Sequence, residues 1–186
     1  MLFIGSDIRS EDWHPCEAAV MAFLCILDGP DPFILNTLIN STLPILIHTM
    51  TYSNLQVKDT VAWTLGKVCD LLVQMIQPDL HLQPLVYAFI SGLQDSPRIA
   101  ANCCQGLQNL AEGMDAYSEL MMSTYYKGVI QALLRLTKSA SSKANYRTAT
   151  YECLATWVAN SFTETCPQIE NLSQSFNRWN ISSPCM

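Results

Sequence analysis

No run of 18 or more apolar residues, the length a helix needs to cross a bilayer, occurs in the 186 residues. The opening "MLFIGSDIRS" has neither the basic lead nor the long apolar segment of a signal peptide. The expectation is a soluble, intracellular chain with no membrane contact. Bases are few, 10 Lys and Arg against 16 Asp and Glu, which argues against a nucleic-acid partner, whose phosphates need neutralising cations. His14, His48 and His81 have no carboxylate or Cys partner at usable spacing, and no Gly-rich phosphate loop is present. The eight cysteines (Cys16, Cys25, Cys69, Cys103, Cys104, Cys153, Cys166, Cys185) show no C-x-x-C pairing and no His cluster, so they read as reduced thiols, mostly in the core, and not as zinc ligands or disulfides. The pattern predicts no enzyme, no cofactor and no metal site.

What the chain has is apolar content, 49% of its residues, enough for a sizeable core. Its acidity is uneven. Residues 1–120 hold 13 acids and 4 bases, while residues 121–186 hold 3 acids and 6 bases. The first two-thirds would attract basic partners.

The sequence also repeats. "EAAVMAFLCIL" from Glu17, "DTVAWTLGKVC" from Asp59 and "AANCCQGLQNL" from Ala101 are helical blocks with apolar residues in matching places, spaced by 42 residues. A fourth, "TATYECLATWV" from Thr148, follows after 47. Second apolar helices are predicted between them, over roughly 32–50, 78–94 and 118–138, bounded by "DGPDP", "QPD" and "DSPR". Strand alternation is absent. Antiparallel helix pairs at this period predict an all-α solenoid of the HEAT type, about four pairs, in which each pair buries its face by stacking on the next. The solenoid segment is expected to span 1–162, with 163–186 an incomplete terminal helix and irregular tail.

Placed on a helical wheel, the second block puts Val57, Val61, Thr64, Leu65, Val68 and Leu72 on one side and Asp59, Trp63, Gly66 and Asp70 on the other. Trp63 is therefore off the core. In register with Asp59, Trp63 and Asp70, the first block offers Glu17, Met21 and Asp28, and the third Ala101, Gln105 and Glu112; Glu152 takes the Trp63 place in the fourth. Carboxylates recur on one stripe with an aromatic among them. A carboxylate beside an indole suits Lys or Arg, since the cation pairs with the acid and lies on the ring. The competing readings are a solvated polar face and a Trp packed on a neighbouring helix. Among the second helices Phe33, Tyr87 and Phe89 sit at helical spacing, which favours core positions over a ligand pocket.

The runs "EDWHPCEAAVMAFLCILDGP" (11–30), "VKDTVAWTLGKVCDLL" (57–72), "HLQPLVYAFISGLQDSPRIAANCCQGLQNLAE" (81–112) and "YRTATYECLATWVANS" (146–161) closely resemble consecutive HEAT repeats from the middle of the importin-beta, or karyopherin-beta, family. The resemblance implies a nuclear import receptor acting in cytoplasm and nucleus and at pores of the nuclear envelope, and no catalysed reaction. Its implied partners are the basic importin-beta-binding segment of importin alpha or a basic cargo, Phe-Gly repeats of nucleoporins, and Ran-GTP for a full-length member but not through this segment alone. Trp63 matches one of the tryptophans that meet basic side chains in that family, with Asp59 and Asp70 beside it. Two departures stand out: Gln105 in "NCCQG" replaces the usual Trp, and "HPC" at 14–16 replaces a basic residue. The chain also has far fewer repeats than a full receptor, and "SQSFNRWNISSPCM" (173–186) matches none of them. The alternative is a generic HEAT scaffold of another assembly, for which the Asp59, Trp63 and Asp70 trio has no purpose.

Overall fold

The computed structural model describes residues 6–10, 12–29, 32–113, 116–138 and 144–160. Seven α-helices longer than two residues account for most of them: α1 (Trp13–Ile26), α2 (Pro32–Thr49), α3 (Leu55–Leu71), α4 (Gln83–Gly92), α5 (Pro97–Gly113), α6 (Ala116–Lys138) and α7 (Ala144–Ala159). No strand occurs among the described residues. The tail assigned to 163–186 lies outside them.

The helix starts follow local chemistry. Asn54 caps α3, its side-chain oxygen accepting from the N–H groups of Gln56 at 2.8 Å and Val57 at 3.3 Å. Asp12 caps α1 by accepting from the His14 N–H at 3.1 Å. Ser96 accepts from the Ile99 N–H at 3.5 Å, and Pro97 follows at the first helical position, where its missing N–H costs nothing. The helix expected over 78–94 is not continuous. Pro78–Leu82 forms a wider π turn before α4 begins at Gln83. Pro84 in the first turn of α4 has no N–H to return to the preceding turn, so the regular ladder cannot run through it.

Helices α1, α3, α5 and α7 pack side by side as one layer, and α2, α4 and α6 form a second, each lying against its neighbours in the first. This is the stacked-pair order of an α-solenoid, as three pairs plus α1. The core runs between the layers. Val57, Val61, Leu65 and Val68 of α3 are fully buried, and Leu72 nearly so, in keeping with the wheel; each such side chain contributes about 1.5–3 kcal/mol of transfer free energy. The adjacent residues Cys103 and Cys104 on α5 are both buried, as are Cys16, Cys69 and Cys153, and all are free thiols; Cys25 is exposed and Cys166 and Cys185 lie outside the described residues. Phe89 is buried, Tyr87 is exposed and sets its ring edge-on to Tyr125 at 6.0 Å, and the Phe33 side chain lies outside what the structure describes. No helix among the described residues is long and apolar enough to cross a membrane.

Candidate partner-binding groove

The layer containing α3 and α5 carries a shallow groove of about 340 Å³ lined by Trp63, Gly66, Lys67 and Asp70 of α3 and by Asn102, Gln105 and Asn109 of α5. Trp63 forms its aromatic wall and is 46% exposed, a large share for an indole in a folded chain. Three turns of α3 set the geometry: Asp59, Trp63, Gly66 and Asp70 fall on one face at spacings of three and four.

The floor is an amide network. Gln105 Nε2 donates to Asn109 Oδ1 at 2.9 Å, and Asn109 Nδ2 donates to the Gly66 carbonyl oxygen at 3.0 Å. Asn102 Nδ2 donates to Asp59 Oδ1 at 3.0 Å, which joins the rim to the carboxylate one turn above Trp63. The Asn102 and Asn109 bonds cross from one repeat to the next, while the Gln105 bond stays within α5. Sequence periodicity gave no hint of Asn102 or Asn109 as groove residues. The available signal was their spacing of seven, two helical turns on one face of α5.

The two acids of the groove are not alike. Asp70 is 44% exposed and pairs with Lys67, itself 41% exposed, at 2.9 Å; such an exposed pair within one helix is weak and opens readily. Asp59 is only 14% exposed and receives Arg98 Nε at 2.7 Å. Burial pushes the Asp59 carboxyl above its ordinary range, with the Arg98 guanidinium opposing and the Glu17 carboxylate adding to the rise.

The other expected stripe residues lie elsewhere. Glu17 accepts from the Thr60 hydroxyl at 3.1 Å and from Gln56 Nε2 at 3.2 Å, tying α1 to α3. Glu112 accepts from Gln108 Nε2 at 3.1 Å and from the Thr156 hydroxyl at 3.4 Å, between α5 and α7. Asp28 is exposed in the turn after α1, away from the groove. The structure thus brings Trp63, Asp70 and Gln105 together, sets Asp59 at the rim through Asn102, and gives Glu17 and Glu112 the job of joining neighbouring helices.

The residues lining the groove include no Ser, Thr, Cys or His. Among the described residues, no group of three or more His, Cys, Asp or Glu is placed to hold a metal. An aromatic face, amide groups and a solvated carboxylate can bind a cation-bearing chain.

Comparison with known proteins agrees with this architecture. The sequence profile of the family described as Importin subunit beta-1-like, TPR repeats, matches residues 84–179, over half of the chain. The repeat here is longer than the roughly 34 residues of a TPR unit and falls in the HEAT range. Importin subunit beta-1 of Schizosaccharomyces pombe is 39% identical over 175 residues, covering 92% of this chain and 20% of that protein. Among solved structures, one describes how Kap95p binding induces the switch loops of RanGDP to adopt the GTP-bound conformation; its chain superposes with a TM-score of 0.88 at 30% identity, covering 98% of this chain and 22% of that one. The Kap95:Nup1 complex gives a TM-score of 0.87 at 30% identity with the same coverage. The chain spans about a fifth of the length of these relatives.

Proposed function

The chain belongs to the importin-beta family, and from that premise we propose that it acts in nuclear protein import, binding a basic helix of the importin-alpha type, or a basic cargo segment, along the α3 and α5 groove. The observation that carries this reading is Trp63, a half-exposed indole standing between Asp59 and Asp70 on the surface of a helix whose other side is fully buried. A Lys or Arg entering the groove would lay its stem or guanidinium on the indole and pair with Asp70, a cation–π contribution of about 0.5–2 kcal/mol. Gln105 supplies hydrogen bonding but no second aromatic platform, so the groove holds one cation on an aromatic face where two tryptophans would hold more.

Nucleoporin Phe-Gly contacts fit the opposite layer, where the exposed Tyr87 and its partner Tyr125 present aromatic surface on α4 and α6. The Kap95p relatives are described with RanGDP and with Nup1. For this chain we place nucleoporins among the direct partners, and Ran only with a longer receptor. Its working compartments on this reading are cytoplasm, nucleus and the pore between them, and its role is carriage without catalysis. Calorimetric titration of the whole chain with the basic importin-beta-binding segment of importin alpha, at two salt concentrations, tests the reading. Binding that weakens as salt rises supports it. Absence of binding at both salts rejects it in favour of a scaffold role for the solenoid.

A further inference from the structure

Both acids that flank Trp63 already hold a cation from this chain, and the two pairs differ in kind. Lys67 and Asp70 face solvent on the same helix. Arg98 instead reaches from the first turn of α5 across to Asp59 on α3, bonding through Nε at 2.7 Å while its side chain is 83% exposed and the carboxylate is 14% exposed. Asn102, one turn further along α5, donates to the other oxygen of the same carboxylate at 3.0 Å and also lines the groove. Asp59 and Trp63 are four residues apart on one helical face, within reach of a single long cationic side chain.

From this arrangement we infer that Arg98 is a specificity-determining residue of the groove: an internal competitor that occupies Asp59 as a ligand cation would, leaving Trp63 and Asp70 as the open half of the site. The inference rests on the cation-binding reading of the groove. The mostly buried carboxylate holds a cation more strongly than the exposed one, because water is mostly removed around it and the Asn102 amide fixes its other oxygen. It is also the one whose pair spans two helices. The exposed guanidinium holding it sacrifices little packing if it swings away, so exchange of Arg98 for an incoming Arg is a swap of like for like. Binding at Asp59 therefore gains only the difference between two similar pairs, while binding at Asp70 displaces a weak one.

A basic partner is then read by the half-site at Trp63 and Asp70, and Asp59 joins only when Arg98 is drawn off. Lys67 sets no such threshold, because its pair with Asp70 is open to water on both members. Removing the Arg98 side chain would leave Asp59 with the Asn102 amide alone, a carboxylate at the groove rim in need of a cation.

The test is a double-mutant cycle with a synthetic Arg- and Lys-rich helical peptide, titrated into wild type, Arg98→Gln, Asp59→Asn and the double variant, with Trp63→Ala alongside. Arg98→Gln is expected to bind about three- to ten-fold tighter than wild type, Asp59→Asn to bind more weakly because it leaves the Arg98 guanidinium unpaired at the rim, and the double variant to lose the gain over wild type. Arg98→Lys, which keeps the charge without the Nε contact, should fall between wild type and Arg98→Gln. A gain that survives in the double variant would mean simple relief of charge repulsion and would overturn the inference. Wild-type binding that requires Trp63 but does not tighten in Arg98→Gln also overturns it, while leaving the cation-binding reading intact. Loss of binding in every protein, Arg98→Gln included, overturns both. Circular dichroism of each variant confirms that the helices are retained.

Discussion

Asn109 on α5 donates its side-chain amide to the backbone carbonyl of Gly66 on α3, 3.0 Å away and one repeat earlier in the chain. A helix carbonyl can accept a second hydrogen bond besides its own ladder bond, and Gly66 has no side chain to shield it. The bond fixes the register of two neighbouring repeats at the place where their polar faces meet. Asn109→Ala should destabilise the chain by about 0.5–1.5 kcal/mol. Urea unfolding followed by far-ultraviolet circular dichroism gives that value, and an unchanged midpoint would show the bond to be idle.

Packing between the layers supplies a sharper test at Gly106. A Cβ at this position would clash with the outer edge of the ring of buried Phe89 on α4. Gly106→Ala removes the entropic cost of a helical glycine yet overpacks the core, and the net effect should be a loss of about 1–3 kcal/mol. Phe89→Leu combined with Gly106→Ala should recover part of that loss relative to the sum of the single variants. Strict additivity of the two melting shifts would contradict the contact.

His81 predicts the direction of a pH effect. Its side chain is buried, and Nδ1 accepts from the Gln77 N–H at 3.3 Å, which holds the ring neutral. Burial lowers its pKa below the ordinary 6.5. For a cationic group lowered in the folded state, the stabilising contribution is present above the unfolded pKa and is lost as pH falls through the folded one. Stability should therefore drop as pH goes below about 6.5. The drop should be shallower in His81→Gln, measured by thermal unfolding across that range.

The cysteines divide by access. Burial pushes the Cys69 and Cys103 thiols far up, so little thiolate forms at neutral pH, whereas Cys25 is exposed. Native alkylation with iodoacetamide followed by peptide mapping should label Cys25 within the time that leaves Cys69 and Cys103 unmodified, and all three should react in denaturant. Early labelling at Cys69 would mean that α3 opens far more readily than its packing allows.

The layers were legible in the sequence because helical period and repeat spacing both report burial, and Val57, Val61, Thr64, Leu65, Val68 and Leu72 are buried as the wheel has them, whereas Gly66, which the wheel sets opposite the core, is buried by the close approach of α5. The exposure of Trp63 was legible for the same reason. The state of the acids was not. Glu17, Asp59 and Glu112 look like free carboxylates on a one-dimensional stripe, but their partners, Thr60, Arg98 with Asn102, and Thr156, stand on the next helix, at a distance set by interhelical tilt. Wheel geometry describes one cylinder and carries no information on how the next one is turned. The break at Pro84 was visible as a proline, but the width of the preceding turn depends on backbone bonding that composition does not encode.

The most direct measurement is the affinity of Trp63→Ala for the basic segment of importin alpha, set against wild type and a Trp13→Ala control. Trp13 stacks on His14 with ring centroids 3.7 Å apart, outside the groove. If the groove reads cations through its indole, Trp63→Ala should weaken binding by about two- to thirty-fold and melt near wild type, while Trp13→Ala, which trims a ring packed on the core, leaves the affinity unchanged. Equal affinity in all three proteins would contradict a cation-reading groove and leave the Trp63 face a solvated surface of the solenoid.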